Sequence, residues 1–421
     1  MLSREENERL TRVGPGTPMG TLFRRYWLPV LLSDELPGPD CAPVQVRILG
    51  EDLVAFRDSH GRVGLLRDAC PHRGASLSFG RSEQDGLRCV FHGWKFDITG
   101  ACVDMPNYTG PENARPSLRT TAYPVREAGN AVWAYMGPAD KMPAFREFGW
   151  MTVPPAHRGV WKVLHEANFL QGMERDLDTV HTPIHRTLKD AEAKAGKSLL
   201  ELVRAELGSS TMEVERTGYG LRSVAVQPAK DGQEYIRITP FVMPAFLFVW
   251  PVANSGDGRG FAFVPRDDHS CWHFIHLYNP ARPIDPGYQK TRGLEELDDA
   301  HRKLRNIDNR YRQDRESMKT SSYNGVQGII IEDHMLAEIQ GPVVDRTREH
   351  LLDSDLPVVE LRRSLTDALD ACSSGANLPG INPDIPYARI GGCDFLKPAA
   401  SPWRDISPAE DSPAAMHTQG K

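Results

Sequence analysis

A chain of 421 residues, 40% of them hydrophobic, is long enough for two domains and carries enough apolar side chains to bury real cores. Lys and Arg total 50 against 56 Asp and Glu, a formal charge of −6 with no basic run, so neither nucleic acid nor anionic membrane is an expected partner. The longest apolar stretches, such as "PAFLFVWPV", fall well short of the roughly 20 residues a membrane span needs. The opening "MLSREENERL" carries charges where a secretory signal would be apolar, so a cytoplasmic location is expected. Seven scattered cysteines do not read as a disulfide framework, and any that cluster are better read as metal ligands.

In chain order, residues 43–66 ("PVQVRILGEDLVAFRDSHGRVGLL") alternate short β-branched runs with Gly-Glu-Asp and Ser-His-Gly-Arg turns, predicting antiparallel strands. Next comes "CPHRGASLSFGRSEQDGLRCVFHGWKF", which holds Cys70 with His72 and Cys89 with His92. Four Cys and His ligands leave zinc or an iron–sulfur cluster as the serious candidates. Structural zinc sites usually group like with like, whereas each pair here mixes a sulfur and a nitrogen. A two-iron cluster with two Cys on one iron and two His on the other needs that mixing, because each loop then gives one ligand to each iron. Gly74, Gly80 and Gly93 permit tight turns around it, and Trp94 and Phe96 could shield one side. "CPHRGASL" followed by "CVFHGWKFD" resembles the Rieske motif, which implies a [2Fe-2S] cluster of raised potential. More short strands follow in "YPVREAGNAVWAYMGP", closing a small β domain at 1–145.

The pattern then turns helical in "HEANFLQGMERDLDTVHTPIHR". His181 and His185 are four apart and share a helical face, with Asp178 one turn earlier. Two His and one carboxylate on one face are the ligand set of a mononuclear Fe(II) that must leave positions open for dioxygen. Strands return in "TMEVERTGYGLRSVAV", "EYIRITPFVMPAFLFVWPV" and "CWHFIHLYN", consistent with one larger antiparallel sheet. Residues 291–318 and 331–373 are charged with helical period, and the Pro/Ala/Ser-rich end reads as a flexible tail. Domains are therefore expected at 1–145, 146–395 and, for the tail, 396–421.

Asn168, Gln171, Asp178, His181 and His185 resemble the catalytic segment of Rieske non-haem iron oxygenase large subunits, here with one residue fewer between the histidines. "GIIIEDHMLAEIQGPVVDRTREHLLDSD" is similar to the C-terminal segment of the phthalate-dioxygenase-like and phenoxybenzoate-dioxygenase-like branch, and that likeness implies Asp333 as third iron ligand. Glu332, Glu338 and Asp345 compete for the role, His334 ranks below them, and Asp345 with Arg346 reads as a structural pair. The resemblance implies an α+β protein: an N-terminal Rieske β-sandwich and a catalytic domain with an antiparallel sheet flanked by helices.

It implies further a terminal oxygenase that hydroxylates an aromatic, carboxylate-bearing substrate by cis-dihydroxylation. The alternatives are an O- or N-demethylating monooxygenase and, from another class, a non-catalytic electron carrier or zinc-stabilised binding protein. No G-x-G-x-x-G follows a strand, so electrons from NAD(P)H require a separate flavin/iron–sulfur reductase or a ferredoxin. The family works across a subunit boundary, implying a homotrimer or a stacked hexamer, with Asp178 bridging an iron-bound His181 to His72 or His92 of the neighbour. An aromatic acid calls for a cationic fork in an apolar slot. Of Arg204, Arg216, Arg222 and Arg237, the last sits on the most apolar strand and is the first choice, with Thr179 as a second substrate contact.

Overall fold

A computed structural model describes residues 1–111, 117–185, 210–249, 256–294 and 296–406. Arg204, the segment 187–209 and the tail beyond 406 lie outside the described residues. The chain forms two compact units, one of Arg12–Phe145 with Val264–Asp268, the other of Met1–Thr11, Arg146–Phe263 and His269–Lys421.

In the first unit, β1 (Trp27–Leu32), β2 (Val44–Ile48), β3 (Glu51–Arg57), β4 (Val63–Arg67), β5 (Arg81–Glu83), β6 (Gly86–Arg88), β7 (Lys95–Phe96), β8 (Cys102–Asp104), β9 (Ala122–Tyr123), β10 (Val125–Ala128) and β11 (Ala131–Tyr135) build three sheets. Their orders are β1-β11-β10, β2-β3-β4-β9 and β5-β6-β7-β8. Three hairpins close through two-residue turns with positive φ at both positions, at Leu49-Gly50, Gln84-Asp85 and Gly129-Asn130. That geometry matches the twist of the flanking strands. Val54, Phe56, Leu66, Leu77, Leu87 and Phe96 bury one core, and Cys70 and Cys89 lie inside it.

The second unit is built on β12 (Arg158–His165), β13 (Thr211–Thr217), β14 (Gly220–Pro228), β15 (Gln233–Val242), β16 (Phe246–Val249), β17 (Gly258–Asp267), β18 (Ser270–Tyr278) and β19 (Cys393–Pro398). The antiparallel order is β12-β18-β17-β16-β15-β14-β13, with β19 pairing β15. The chain is thus still in the sheet at 396–398, and Trp403 beyond it is buried against Val224, Ile236 and Ile238. The helices Phe169–Leu177, Ile329–Glu338 and Leu356–Ser374 flank this sheet. Gly172 is required by the packing, since a Cβ there would lie 2.4 Å from the Phe263 ring on β17.

The helical period expected over 291–318 gives short 3₁₀ turns instead, at Ile307–Arg312 and Ser317–Lys319, and that over 331–373 splits into two helices around a loop. Gly341 and Pro342 break the pattern after the first helix. No helix among the described residues is long and apolar enough to cross a membrane.

Candidate metal centres

In the first unit, β4 and β6 each feed a loop, and the two loops share one construction. The Cys70 N–H donates to Ala75 O at 2.8 Å while Gly74 N–H donates to Cys70 O at 2.8 Å. Likewise Cys89 N–H donates to Trp94 O at 2.8 Å and Gly93 N–H to Cys89 O at 3.0 Å. Gly74 and Gly93 have φ of 76° and 74°, a conformation that favours glycine in each loop. Asp68 braces the first loop by accepting from Ser78 N and Ser76 Oγ at 2.7 Å each.

Both sulfurs are buried, and burial, reinforced by the adjacent Cys89, pushes the metal-free Cys70 thiol up to about 11. The imidazoles sit at the more open end, with His72 and His92 rings 4.5 Å apart edge to face and Trp94 stacked on His72 at 4.5 Å. His92 Nδ1 is shielded from water and has no hydrogen-bond partner. No three of the four side chains bring ligand atoms within 4.8 Å of one another, as one tetrahedral zinc would require. Two buried thiols and two outer imidazoles on paired loops fit a two-iron cluster instead.

In the second unit, the Phe169–Leu177 helix begins at Asn168, whose Oδ1 accepts from Leu170 N–H at 3.1 Å. Gln171 ties the helix to its neighbour, donating to Ala337 O at 3.0 Å and Gly341 O at 2.9 Å. The helix stops at Asp178, and a 3₁₀ segment Thr179–His185 follows, so the single helical face expected for Asp178, His181 and His185 is not formed. Asp178 Oδ1 accepts from Val180 N–H at 2.9 Å, which turns the chain out of the helix.

The two histidines nevertheless converge with Asp333 from the Ile329–Glu338 helix. Asp333 Oδ1 lies 3.5 Å from His181 Nε2 and 3.0 Å from His185 Nε2. Each ring spends its other nitrogen on a fixed acceptor. His185 Nδ1 donates to Glu332 Oε2 at 2.9 Å, itself held by Asn324 Nδ2 at 2.7 Å, and His181 Nδ1 donates to the Asp178 carbonyl. With both Nδ1 atoms engaged, both Nε2 atoms face the one carboxylate oxygen, as a two-His, one-carboxylate metal site requires. The Asp178 carboxylate stands 3.8 Å from His181 Nδ1, so the expected bond between them runs through the backbone carbonyl instead.

Burial raises the Asp333 carboxyl, but Arg175, His181 and His185 outweigh it and hold the group well below the usual carboxylate range. Burial lowers His185, yet Asp333 and Glu332 push the metal-free ring up to about 9. A metal bound at Nε2 would have to displace that proton.

Of the competing carboxylates, Glu332 orients His185, while Asp345 accepts from Thr347 and does not pair with Arg346. Arg346 instead meets Glu174 at 2.7 Å. Glu338 and His334 belong to a buried network: Glu338 Oε1 accepts from Lys303 Nζ at 2.7 Å and His165 Nδ1 at 3.1 Å, Oε2 from the Tyr311 hydroxyl, and His334 Nε2 lies 2.8 Å from His273 Nδ1. His165, His334 and Glu338 could by spacing hold an ion, but Lys303 already supplies the cation there.

Arg237 is buried on β15 and donates to Thr182 Oγ1 at 3.0 Å, within the histidine-bearing segment; Thr179 is buried too. Arg175, Asp176, Lys303, His165 and His273 were not singled out from the sequence. For Arg175 and Asp176 the signal was the charge-dense "MERD" in a helix whose every residue is buried, and nothing in the sequence marks Lys303, His165 or His273.

Profiles of known families match both units: the Rieske [2Fe-2S] domain over residues 26–122, and the "LigXa C-terminal domain like" family over 134–419. The chain is a Rieske oxygenase. It is 38% identical over 96% of its length, and 94% of the relative, to the phthalate 4,5-dioxygenase oxygenase subunit of Pseudomonas putida. It is 32% identical over 95% of its length, and 96% of the relative, to the 3-chlorobenzoate-3,4-dioxygenase oxygenase subunit of Comamonas testosteroni. The 5,5'-dehydrodivanillate O-demethylase oxygenase subunit of a Sphingobium species is 31% identical, over 93% of this chain and 87% of that one. Among solved structures, dicamba monooxygenase shares the fold, with a TM-score of 0.57 at 20% identity over 84% of this chain and 99% of that chain. As a Rieske oxygenase the protein uses a [2Fe-2S] cluster and a mononuclear non-haem iron, and it serves as the terminal component of a multicomponent oxygenase system.

Proposed function

We propose that this oxygenase cis-dihydroxylates an aromatic ring bearing a carboxylate, with electrons from a separate NAD(P)H-dependent reductase. Cys70, His72, Cys89 and His92 would hold the cluster, and His181, His185 and Asp333 the iron. The observation that carries this reading is the convergence of two Nε2 atoms and one carboxylate oxygen on one point, with both Nδ1 atoms already engaged. When bound, the cluster supplies single electrons and the iron activates dioxygen.

The chain's own residues set up the rest. Glu332 and the Asp178 carbonyl fix ring direction and tautomer. Arg237, fixed beside the His181–His185 segment by Thr182, would pair with the substrate carboxylate, for which its planar fork is suited. Thr179 would face the substrate from the same segment. The phthalate and chlorobenzoate activities named for two relatives support a carboxylated aromatic.

A homotrimer in which one protomer's cluster faces its neighbour's iron accounts for two separate apolar patches. Phe79, Val90 and Phe91 on and beside the cluster loops are 78%, 58% and 54% exposed. Leu352 and Leu356 flank Asp355, which lies within electrostatic reach of Asp178, and they are 74% and 36% exposed. Asp178, part exposed at this edge, would bridge to His72 or His92 of the next copy.

O-demethylation is the second reading, favoured by the demethylase relative. Metal analysis and labelled dioxygen test both. Anaerobically purified protein should carry about three irons and two acid-labile sulfides per chain, and His181→Ala about two irons with the cluster signal intact. Both oxygen atoms in a diol product support dihydroxylation. One atom with release of formaldehyde supports demethylation, and a full iron complement in His181→Ala would sink the ligand assignment.

A further inference from the structure

We infer that Arg175 is a positioning residue that confines Asp333 to a single ligating oxygen and so keeps an additional position open at the mononuclear site. The inference rests on the assignment of His181, His185 and Asp333 made above.

The two oxygens of Asp333 have different surroundings. Oδ1 faces both Nε2 atoms, at 3.5 Å and 3.0 Å. Oδ2 points away from them and lies 2.9 Å from Arg175 Nη1. The contact is an ion pair by distance, without hydrogen-bond geometry at any guanidinium nitrogen, and its attraction opposes the turn of Oδ2 towards a metal that chelation would need. Carboxylates bind metal ions through one oxygen or both, and nothing in the two imidazoles decides between these modes. Arg175 does.

The guanidinium is itself fixed. It sits in the last turn of the Phe169–Leu177 helix, 8% exposed, with Nη2 2.9 Å from Asp176 Oδ1. Its Cζ lies 5.9 Å from the Phe263 ring centroid, and that ring stacks on His273 at 4.4 Å and closes against Gly172. Asp176 and the Phe263 ring thus hold the cation beside the carboxylate. Two imidazoles and one oxygen fill three of the six positions of an octahedron, and a chelating carboxylate would take a fourth. An oxygenase that must admit dioxygen beside its substrate gains from the position left open.

The test uses the full chain with its cluster intact and Fe(II) at the mononuclear site, and reads the coordination number by near-infrared magnetic circular dichroism. Arg175→Met removes the cation at similar length, and the iron should gain one protein oxygen relative to wild type. Arg175→Lys keeps a cation and should hold the wild-type number. A purely structural ion pair would change folding but not coordination, so an Arg175→Met protein with the wild-type number overturns the inference. If Arg175→Met does not fold, a crystal structure of the iron-loaded wild type decides: Oδ2 on Arg175 supports it, both oxygens on iron refute it. Asp333→Ala separates the underlying reading, because full retention of mononuclear iron there would remove Asp333 as a ligand whatever Arg175 does.

Discussion

Lys303→Met should destabilise the second unit by about 3–5 kcal/mol at neutral pH, the usual cost of removing one partner from a buried ion pair. Lys303 is 1% exposed, and its Nζ donates to Glu338 Oε1 and to Leu164 O at 2.7 Å each. Burial alone would raise the Glu338 carboxyl, but Lys303 first, then His165, hold it at about 2 against an ordinary value of 4.5. A depression of that size corresponds to about 3 kcal/mol, in agreement with the first figure. Because the folded value lies below the unfolded one, this stabilisation is complete above pH 4.5 and is lost as pH falls towards 2. At roughly 2–4 °C per kcal/mol for a unit of this size, the melting temperature should drop by about 6–20 °C. Differential scanning calorimetry at pH 7, repeated at descending pH, reads both the loss and its shrinkage. Lys303→Met/Glu338→Gln, which removes both charges while the amide oxygen still offers an acceptor to His165 or Tyr311, should recover part of the stability. A loss below about 1 kcal/mol at pH 7, or a double variant no better than the single one, would refute the assignment of Glu338 to a buried ion pair.

The site yields three further expectations. Glu332→Gln weakens the acceptor for His185 Nδ1, and Fe(II) affinity should fall about 10- to 100-fold, measured by chelator competition on the protein stripped of mononuclear iron; the cluster spectrum should not change. Arg237→Gln should raise KM for a carboxylated substrate about 10- to 100-fold, the worth of a charge-assisted bond, while an uncharged analogue is affected little; equal loss on both would assign Arg237 to packing. Asp178→Asn should keep both metals bound by iron and sulfide analysis yet suppress turnover, since an amide cannot act as the proposed carboxylate bridge. Wild-type turnover in that variant would remove the bridge.

Local chemistry decided how much of this was legible in the chain. Cys70, His72, Cys89 and His92 could be recognised because their spacing and their turn glycines lie within 27 residues, and the structure puts them on two loops of matching build. The Gly-Glu-Asp turn signal likewise falls at the Leu49-Gly50 turn between β2 and β3. β12, β17 and β19 escaped notice. β17 is interrupted by Gly258 and Gly260, which pack against Tyr278 and Phe248, and β19 looks like the head of a Pro-rich tail until β15 is there to pair with it. Arg175 and Lys303 were illegible for a related reason. Each is an ordinary charged residue in sequence, and only a carboxylate brought from 158 or 35 positions away gives it a task.

The break at Asp178 shows how tertiary demand overrides a periodicity argument. In an α-helix, residues four apart lie about 40° from each other, whereas in a 3₁₀ helix they are about 120° apart, so the H-x-x-x-H spacing alone would not aim both rings at one point. Convergence here comes from outside the segment: Glu332 draws His185 by its Nδ1, the Asp178 carbonyl draws His181, and Asp333 stands between the two Nε2 atoms. Asp178 makes this possible by ending the helix and giving Val180 N–H an acceptor. Asn serves that capping purpose about as well as Asp, whereas Ala does not. That is why Asp178→Asn isolates the charge, and why Asp178→Ala would also disturb the turn that aims His181.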